Sequence, residues 1–101
     1  MFSTVRRYAG LTPTTKAALT ACAADIAAVM ASVPGARGSQ VIAARDGVIL
    51  VTVGTDEACL VESARRFRAW VDARAPEIGP VGEAEIWLGE VVLDDIWPTS
   101  P

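Results

Sequence analysis

The spacing of apolar residues along this chain changes several times, and each change marks an element. Residues 2–9, Phe2-Ser-Thr-Val-Arg-Arg-Tyr-Ala9, alternate as a strand does: Phe2, Thr4, Arg6 and Tyr8 share one face, Ser3, Val5 and Arg7 the other. Gly10 ends this run. From Thr12 the period lengthens. Leu19, Cys22, Ile26, Val29 and Val33 recur every three to four residues and predict one helix running to about Ser32. Thr12 is its expected N-cap, Pro13 fills the first helical position, and Pro34-Gly35 stops it. Between residues 38 and 54 two β-rich runs meet at Asp46-Gly47, a dipeptide that supplies the positive φ of a tight hairpin. Thr55 is expected to cap a second helix, with Asp56 and Glu57 at the positive end of its dipole, a stripe of Leu60, Ala64, Phe67 and Val71, and Pro76 as its end. Residues 84–93 read as a last strand with a bulge at Gly89.

The predicted order is β-α-β-β-α-β, a ferredoxin-like α+β fold: a four-stranded antiparallel sheet with two helices on one face. Residues 1–101 read as a single domain, with 94–101 as a C-terminal tail anchored by Trp97. The run Val48–Val53 is apolar on both faces except at Thr52, the mark of a strand covered on both sides. Two helices cover only one side. If about 500 Å² of apolar sheet per subunit is hidden by a partner, the gross gain is on the order of 25 kcal/mol for the pair. Association costs roughly 4–15 kcal/mol. A homodimer through the open sheet face is therefore expected.

In the last strand, Glu83, Glu85 or Glu90 would lie across from Arg6 and Arg7. Such pairing explains why residues 1–75 hold all nine basic residues and 76–101 hold six acids and none. The net charge of −3 argues against non-specific nucleic-acid binding, and Val48–Val53 has no aromatic side chain on which bases would stack. The cluster Arg65-Arg66-Phe67-Arg68 reads as a core phenylalanine flanked by a solvated face. No uninterrupted apolar run reaches the length of a membrane span. Arg6-Arg7 before the alanine-rich stretch 17–33 mimics an export signal, but Asp25 interrupts that stretch. Two cysteines, Cys22 and Cys59, are expected as buried free thiols in a cytoplasmic protein.

The strand Val5-Arg6-Arg7-Tyr8-Ala9-Gly10, the helix end Val33-Pro34-Gly35, the Asp46-Gly47 hairpin and Gly89-Glu90-Val91 together resemble the dimeric α+β barrel superfamily. The similarity is to small antibiotic-biosynthesis-monooxygenase-like and stress-responsive barrel proteins. The resemblance implies a homodimer with a cavity between sheet and helices in each subunit. Some relatives oxidise polyphenols without a cofactor, some degrade haem through an Asn, Trp and His set, and many have no known activity.

This chain has no histidine and no asparagine. It therefore lacks an axial imidazole for haem and the Asn that acylphosphatases use. Two distant cysteines without histidine exclude zinc, copper-chaperone and iron–sulfur motifs, and no phosphate-cradling glycine loop is present. We expect no metal and no cofactor. The residues that remain for binding are Tyr8 and Arg6 on the first strand, Trp87 on the last and Gln40 on the hairpin. A phenol, a guanidinium and an indole suit a small aromatic or anionic ligand. The plainer arrangement has Arg6 paired with a last-strand glutamate while Tyr8 and Trp87 fill the dimer core. Alternation alone leaves open which sheet face Tyr8 and Arg6 use. The readings are a ligand-binding or interaction protein, a cofactor-independent monooxygenase acting on a small aromatic, or an assembly or regulatory module.

Overall fold

Strand β1 (Phe2–Ala9) begins the chain where alternation predicts it. The structure, a computed structural model, describes residues 1–93. The expected tail with Trp97 lies outside the described residues. After β1 come α1 (Pro13–Ala21), α2 (Ala23–Ala31), β2 (Ala36–Ala44), β3 (Gly47–Gly54), α3 (Glu57–Ile78) and β4 (Glu85–Glu90). The sheet is antiparallel in the order β2-β3-β1-β4, so β1 and β3 are central, as the ferredoxin-like reading requires.

The single helix expected after Thr12 is broken. α1 and α2 meet at Cys22 with a bend of 57°. The Thr20 hydroxyl bonds back to the Lys16 carbonyl, a bond that competes with the helical ladder and bends helices. Across the bend Leu19, Ile26 and Met30 all stay buried in one core. Thr12 does cap α1, its side chain accepting from the Thr15 amide. Asp56, not Thr55, caps α3: its carboxylate accepts from the Cys59 amide at 2.8 Å, while the Thr55 amide is spent on the Gly35 carbonyl. Pro76 does not end α3. Buried Ile78 holds one further turn on the core, and Gly79, at φ 90°, ends it.

Two more expectations change at the strands. Gly47 has no positive φ. The turn falls on Arg45 and Asp46, and Gly47 starts β3 opposite Ala9, where a Cβ would come within 1.8 Å of the Tyr8 carbonyl oxygen. Glycine is needed there for close approach rather than for the turn. β4 is shorter than expected: its register with β1 ends at Phe2 opposite Glu90, with one further bond from the Val91 amide to the Met1 carbonyl, and it is unbroken at Gly89. The bulge lies in β2 instead, between Ala36 and Gly38.

The two sheet faces differ in kind. Thr4, Arg6 and Tyr8 of β1 and Val48, Leu50 and Thr52 of β3 are buried beneath the helices, against Leu19, Ile26, Met30, Phe67, Trp70 and Val71. The opposite face carries Val5, Ile49, Val51 and Val53, half-buried, with Ile42 and Trp87 exposed. β3 is thus apolar on both sides, and the helices cover one. Arg7, on the open side, bonds Asp46 at 2.9 Å and Glu85 at 3.1 Å. These half-exposed pairs fix register more than they stabilise. The cross-strand explanation of the charge split holds for Arg7 and Glu85; Glu90 lies across from Phe2. Both cysteines are free, Cys59 buried and Cys22 only half-buried at the helix bend.

The glycine contacts give a direct test. Gly47→Ala must push aside backbone and is expected to lower the unfolding free energy by roughly 2–3 kcal/mol. Gly38→Ala meets nothing within 4 Å and is expected to be neutral or slightly stabilising. Urea midpoints of the two variants against the parent chain measure both; equal midpoints would mean that the Tyr8 carbonyl does not crowd Gly47.

Candidate functional site

Alternation on β1 turns Arg6 inward, between Leu50 of β3 and Ile86 of β4. The residue is 3% exposed. Its guanidinium carbon lies 5.4 Å from the centre of the Phe67 ring, and Nη1 donates to the Tyr8 hydroxyl at 3.5 Å, a weak bond. The Tyr8 ring tilts on Phe67 at 5.5 Å, and Phe67 stacks on Trp70 at 6.3 Å. α3 supplies both of these rings, spaced so that one helix face underlies the whole group.

Among the described residues this guanidinium has no counter-charge: no carboxylate forms an ion pair with it, and Nε and Nη2 have no hydrogen-bond partner. The hydroxyls of Thr4 and Thr52, facing each other across β1 and β3 on the same side, are also unpartnered. An uncompensated buried charge costs several kcal/mol, of which a cation–π contact returns only about 0.5–2. Burial lowers the Arg6 pKa, with Tyr8 opposing that shift and Arg68 adding to it. A guanidinium nonetheless stays cationic at neutral pH. Burial likewise raises the Tyr8 pKa, against the pull of Arg6 and Arg68, so its hydroxyl is neutral there.

Arg6 and Thr4 border open space, although their unpartnered atoms are themselves buried. A cleft of about 180 Å³ lies between α3 and the β1–β4 edge, lined by Thr4, Arg6, Leu60, Val61, Ala64, Ile86 and Leu88. A second hollow of about 350 Å³ adjoins it, lined by Arg6, Tyr8, Ala64, Arg68, Glu83, Ala84 and Ile86. Arg6, Ala64 and Ile86 belong to both, which makes one groove with a guanidinium at its middle. Arg68 shapes the far end. It donates to the carbonyls of Val81 at 2.9 Å and Gly82 at 2.8 Å, pinning the loop that leads into β4.

Of the four residues singled out from sequence, two meet here. Tyr8 and Arg6 are together on the helix face. Trp87 pairs with Val5 and Gln40 with Val51, which places both on the opposite face, at opposite edges of the sheet and about 14 Å apart at the usual strand spacing. Gln40 borders a separate shallow hollow with Gly38, Ser39, Val51 and Val53. The plainer arrangement fails as well. Arg6 faces Ile86 rather than a glutamate, and Tyr8 belongs to the helix-covered core rather than to the open face. Sequence reasoning missed Thr4, Ala64, Arg68, Ile86 and Leu88. Thr4 was available from alternation with Arg6. Ala64 had a signal too: a small residue between Leu60 and Arg68, four positions either way on one helix face, leaves a notch. Arg68 is not part of a purely solvated face, since its side chain caps the loop carbonyls.

No protein-family model and no curated protein matches the chain. Solved structures do match. A mutant of MhuD with two manganese protoporphyrin IX bound per active site superposes with a TM-score of 0.67 at 18% identity, over 96% of this chain and 100% of that one. SnoaB, a cofactor-independent oxygenase from Streptomyces nogalater, gives 0.65 at 17% identity, over 92% and 94%. The ActVA-Orf6 monooxygenase of Streptomyces coelicolor, in complex with nanaomycin D, gives 0.66 at 18%, over 97% and 92%. The chain has the ferredoxin-like fold of the antibiotic-biosynthesis-monooxygenase-like proteins.

Two measurements probe the site without any ligand. Tyr8 is the only tyrosine, so tyrosinate absorbance reports it alone; its midpoint is expected above the ordinary value of 10.0. Because the folded pKa is the raised one, its contribution to stability is complete below pH 10 and is lost as pH rises through the folded value. A midpoint at or below 10 would mean that the phenol is solvated. Arg6→Met removes an uncompensated charge and is expected to raise the unfolding free energy by about 1–3 kcal/mol. A lowered urea midpoint would show that the charge is compensated after all.

Proposed function

We propose that the protein binds a small, largely apolar ligand carrying an anionic oxygen, in the groove between α3 and β4. One observation carries this reading: a buried guanidinium with unpartnered donors, and with no acidic partner among the described residues, borders an apolar cleft. A fold does not keep such a group for stability, since an aliphatic side chain would serve the core better. Ligand sites combine a mostly apolar wall with a few fixed polar groups, and this groove has that composition. Isothermal titration against a panel of small aromatic and aliphatic anions tests the proposal. Ala64→Phe, which fills the notch at the centre of the groove, is expected to abolish binding while leaving the circular dichroism unchanged. Binding that survives Ala64→Phe at full strength would place the ligand elsewhere.

A second reading makes the same groove a monooxygenase-like site for a small aromatic. It is favoured by the shared fold with proteins described as a cofactor-independent oxygenase and as a monooxygenase bound to nanaomycin D. On this reading Arg6 holds a phenolate oxygen, molecular oxygen is the oxidant, and no protein group changes oxidation state. Oxygen uptake with quinol-type substrates, lost in Arg6→Ala and reduced in Tyr8→Phe, would support it; identical turnover in both variants would remove it. A haem does not fit this chain, which has no imidazole to ligate iron.

We further propose that the protein is a homodimer through the open sheet face. Val5, Val51, Val53, Ile49, Ile42 and Trp87 form an apolar surface that no helix of the described residues covers. Light scattering at micromolar concentration is expected to give twice the chain mass, and Val51→Arg to give the single-chain mass. A monomeric parent chain would refute the proposal.

A further inference from the structure

The two free nitrogens of Arg6 are not an arbitrary pair. Nη1 is turned to Tyr8, and Nε and Nη2, which have no partner, form the side edge of the guanidinium plane. Their N–H bonds point the same way. That edge matches the two oxygens of one carboxylate, accepted bidentately. A phenol, alcohol or ketone offers one oxygen and leaves one buried N–H unpaired, which is the costly outcome. The Thr4 hydroxyl, buried and unpartnered, lines the same cleft and supplies a third donor. An occupant that brings acceptors and negative charge would answer these unpartnered donors.

The apolar arm defines the rest of the ligand. Its walls are Leu60, Val61, Ala64, Ile86 and Leu88, all aliphatic. An aromatic ligand gains from stacking on a ring. The indole that would offer one, Trp87, faces the other side of the sheet, and Phe67 is already occupied by Arg6 and Tyr8. The arm encloses about 180 Å³ and is open to solvent along Val61, Ile86 and Leu88, which are exposed. That space suits a chain of about six to eight carbons. In the adjoining polar hollow, Glu83 disfavours a second carboxylate, and Arg68 is committed to the Val81 and Gly82 carbonyls.

We infer that the groove is a site for an aliphatic monocarboxylic acid of medium length, its carboxylate on the side edge of Arg6 with Thr4, its chain between α3 and β4. The inference rests on the reading of this groove as a ligand site and narrows it to one chemical class. Titration of the full-length protein with octanoate, 1-octanol, dodecanoate and 1-naphthol tests it, with the Ala64→Phe variant run in parallel. Octanoate is expected to bind tightest. Octanol, of equal length but without the second oxygen or the charge, is expected to bind roughly 30-fold more weakly or worse. Dodecanoate runs past the walled arm into solvent and is expected to bind no tighter than octanoate. Arg6→Lys, which keeps the charge but loses the fork, is expected to weaken octanoate by roughly tenfold or more and to leave octanol unchanged. Should Arg6→Lys not fold, the octanoate-to-octanol ratio on the parent chain still decides. Octanol or naphthol binding as tightly as octanoate, and lost in Ala64→Phe, would overturn the carboxylate assignment while the ligand site stands. If no probe shows binding that Ala64→Phe removes, both fall.

Discussion

A guanidinium stacked on Phe67, on the buried face of a central strand, is the constraint around which this molecule is arranged. At that position most sheets carry a leucine or valine. The cation needs an aromatic face below it, which α3 provides through Phe67, and it needs room for whatever satisfies its free edge, which α3 provides through Ala64. The same helix therefore gives bulk at one position and a notch three residues earlier. Trp70 extends the ring column by stacking on Phe67, and Arg74 closes its far end over Trp70 at 4.5 Å. The column runs from buried Arg6 to half-buried Arg74 through two rings, and Nε and Nη2 of Arg6 are left without partners among the described residues.

The second organising fact is that β3 is apolar on both sides. The helix face takes Val48 and Leu50 into the core, and the other face presents Ile49, Val51 and Val53. The groove and the open face thus lie on opposite sides of one sheet. Residues that bind cannot double as residues that associate, because successive side chains of a strand point apart. This separation explains why Trp87 and Gln40 left the candidate site: each sits one residue out of phase with Arg6 across the sheet.

Periodicity made the element order, the strand pairing of β1 and the bifacial character of β3 legible before any coordinates. Cap chemistry located the start of α1. What remained hidden depended on contacts between distant elements. The bend at Cys22 accompanies a side-chain bond to a carbonyl one turn back, which periodicity does not record. Pro76 stays helical because Ile78 is buried, an effect of tertiary packing on a local breaker. The hairpin pattern predicts a positive φ at Gly47, but what forbids a side chain there is the Tyr8 carbonyl, on a strand nearly forty residues away in sequence. The site was half legible. Tyr8 and Arg6 could be chosen from their chemistry, but their face could not, since a shift of one residue exchanges the two sides.

That ambiguity shows what the register of β1 controls. Slid by one position, β1 would send Val5 and Arg7 beneath the helices and Arg6 and Tyr8 to the open face, so site and association surface would trade places. Three local features oppose the slip. Arg7 reaches Asp46 on the hairpin and Glu85 on β4, bridging both flanks of β1 from the open side. Gly47 lets β3 lie against the Tyr8 carbonyl, an approach that the next residue in sequence, Val48, would forbid. Inside, Tyr8 and Arg6 fit over Phe67, where Val5 and Arg7 would leave a ring uncovered and a second cation without its acids. Each contact is weak alone. They agree on one register, and that agreement sets the guanidinium in the groove.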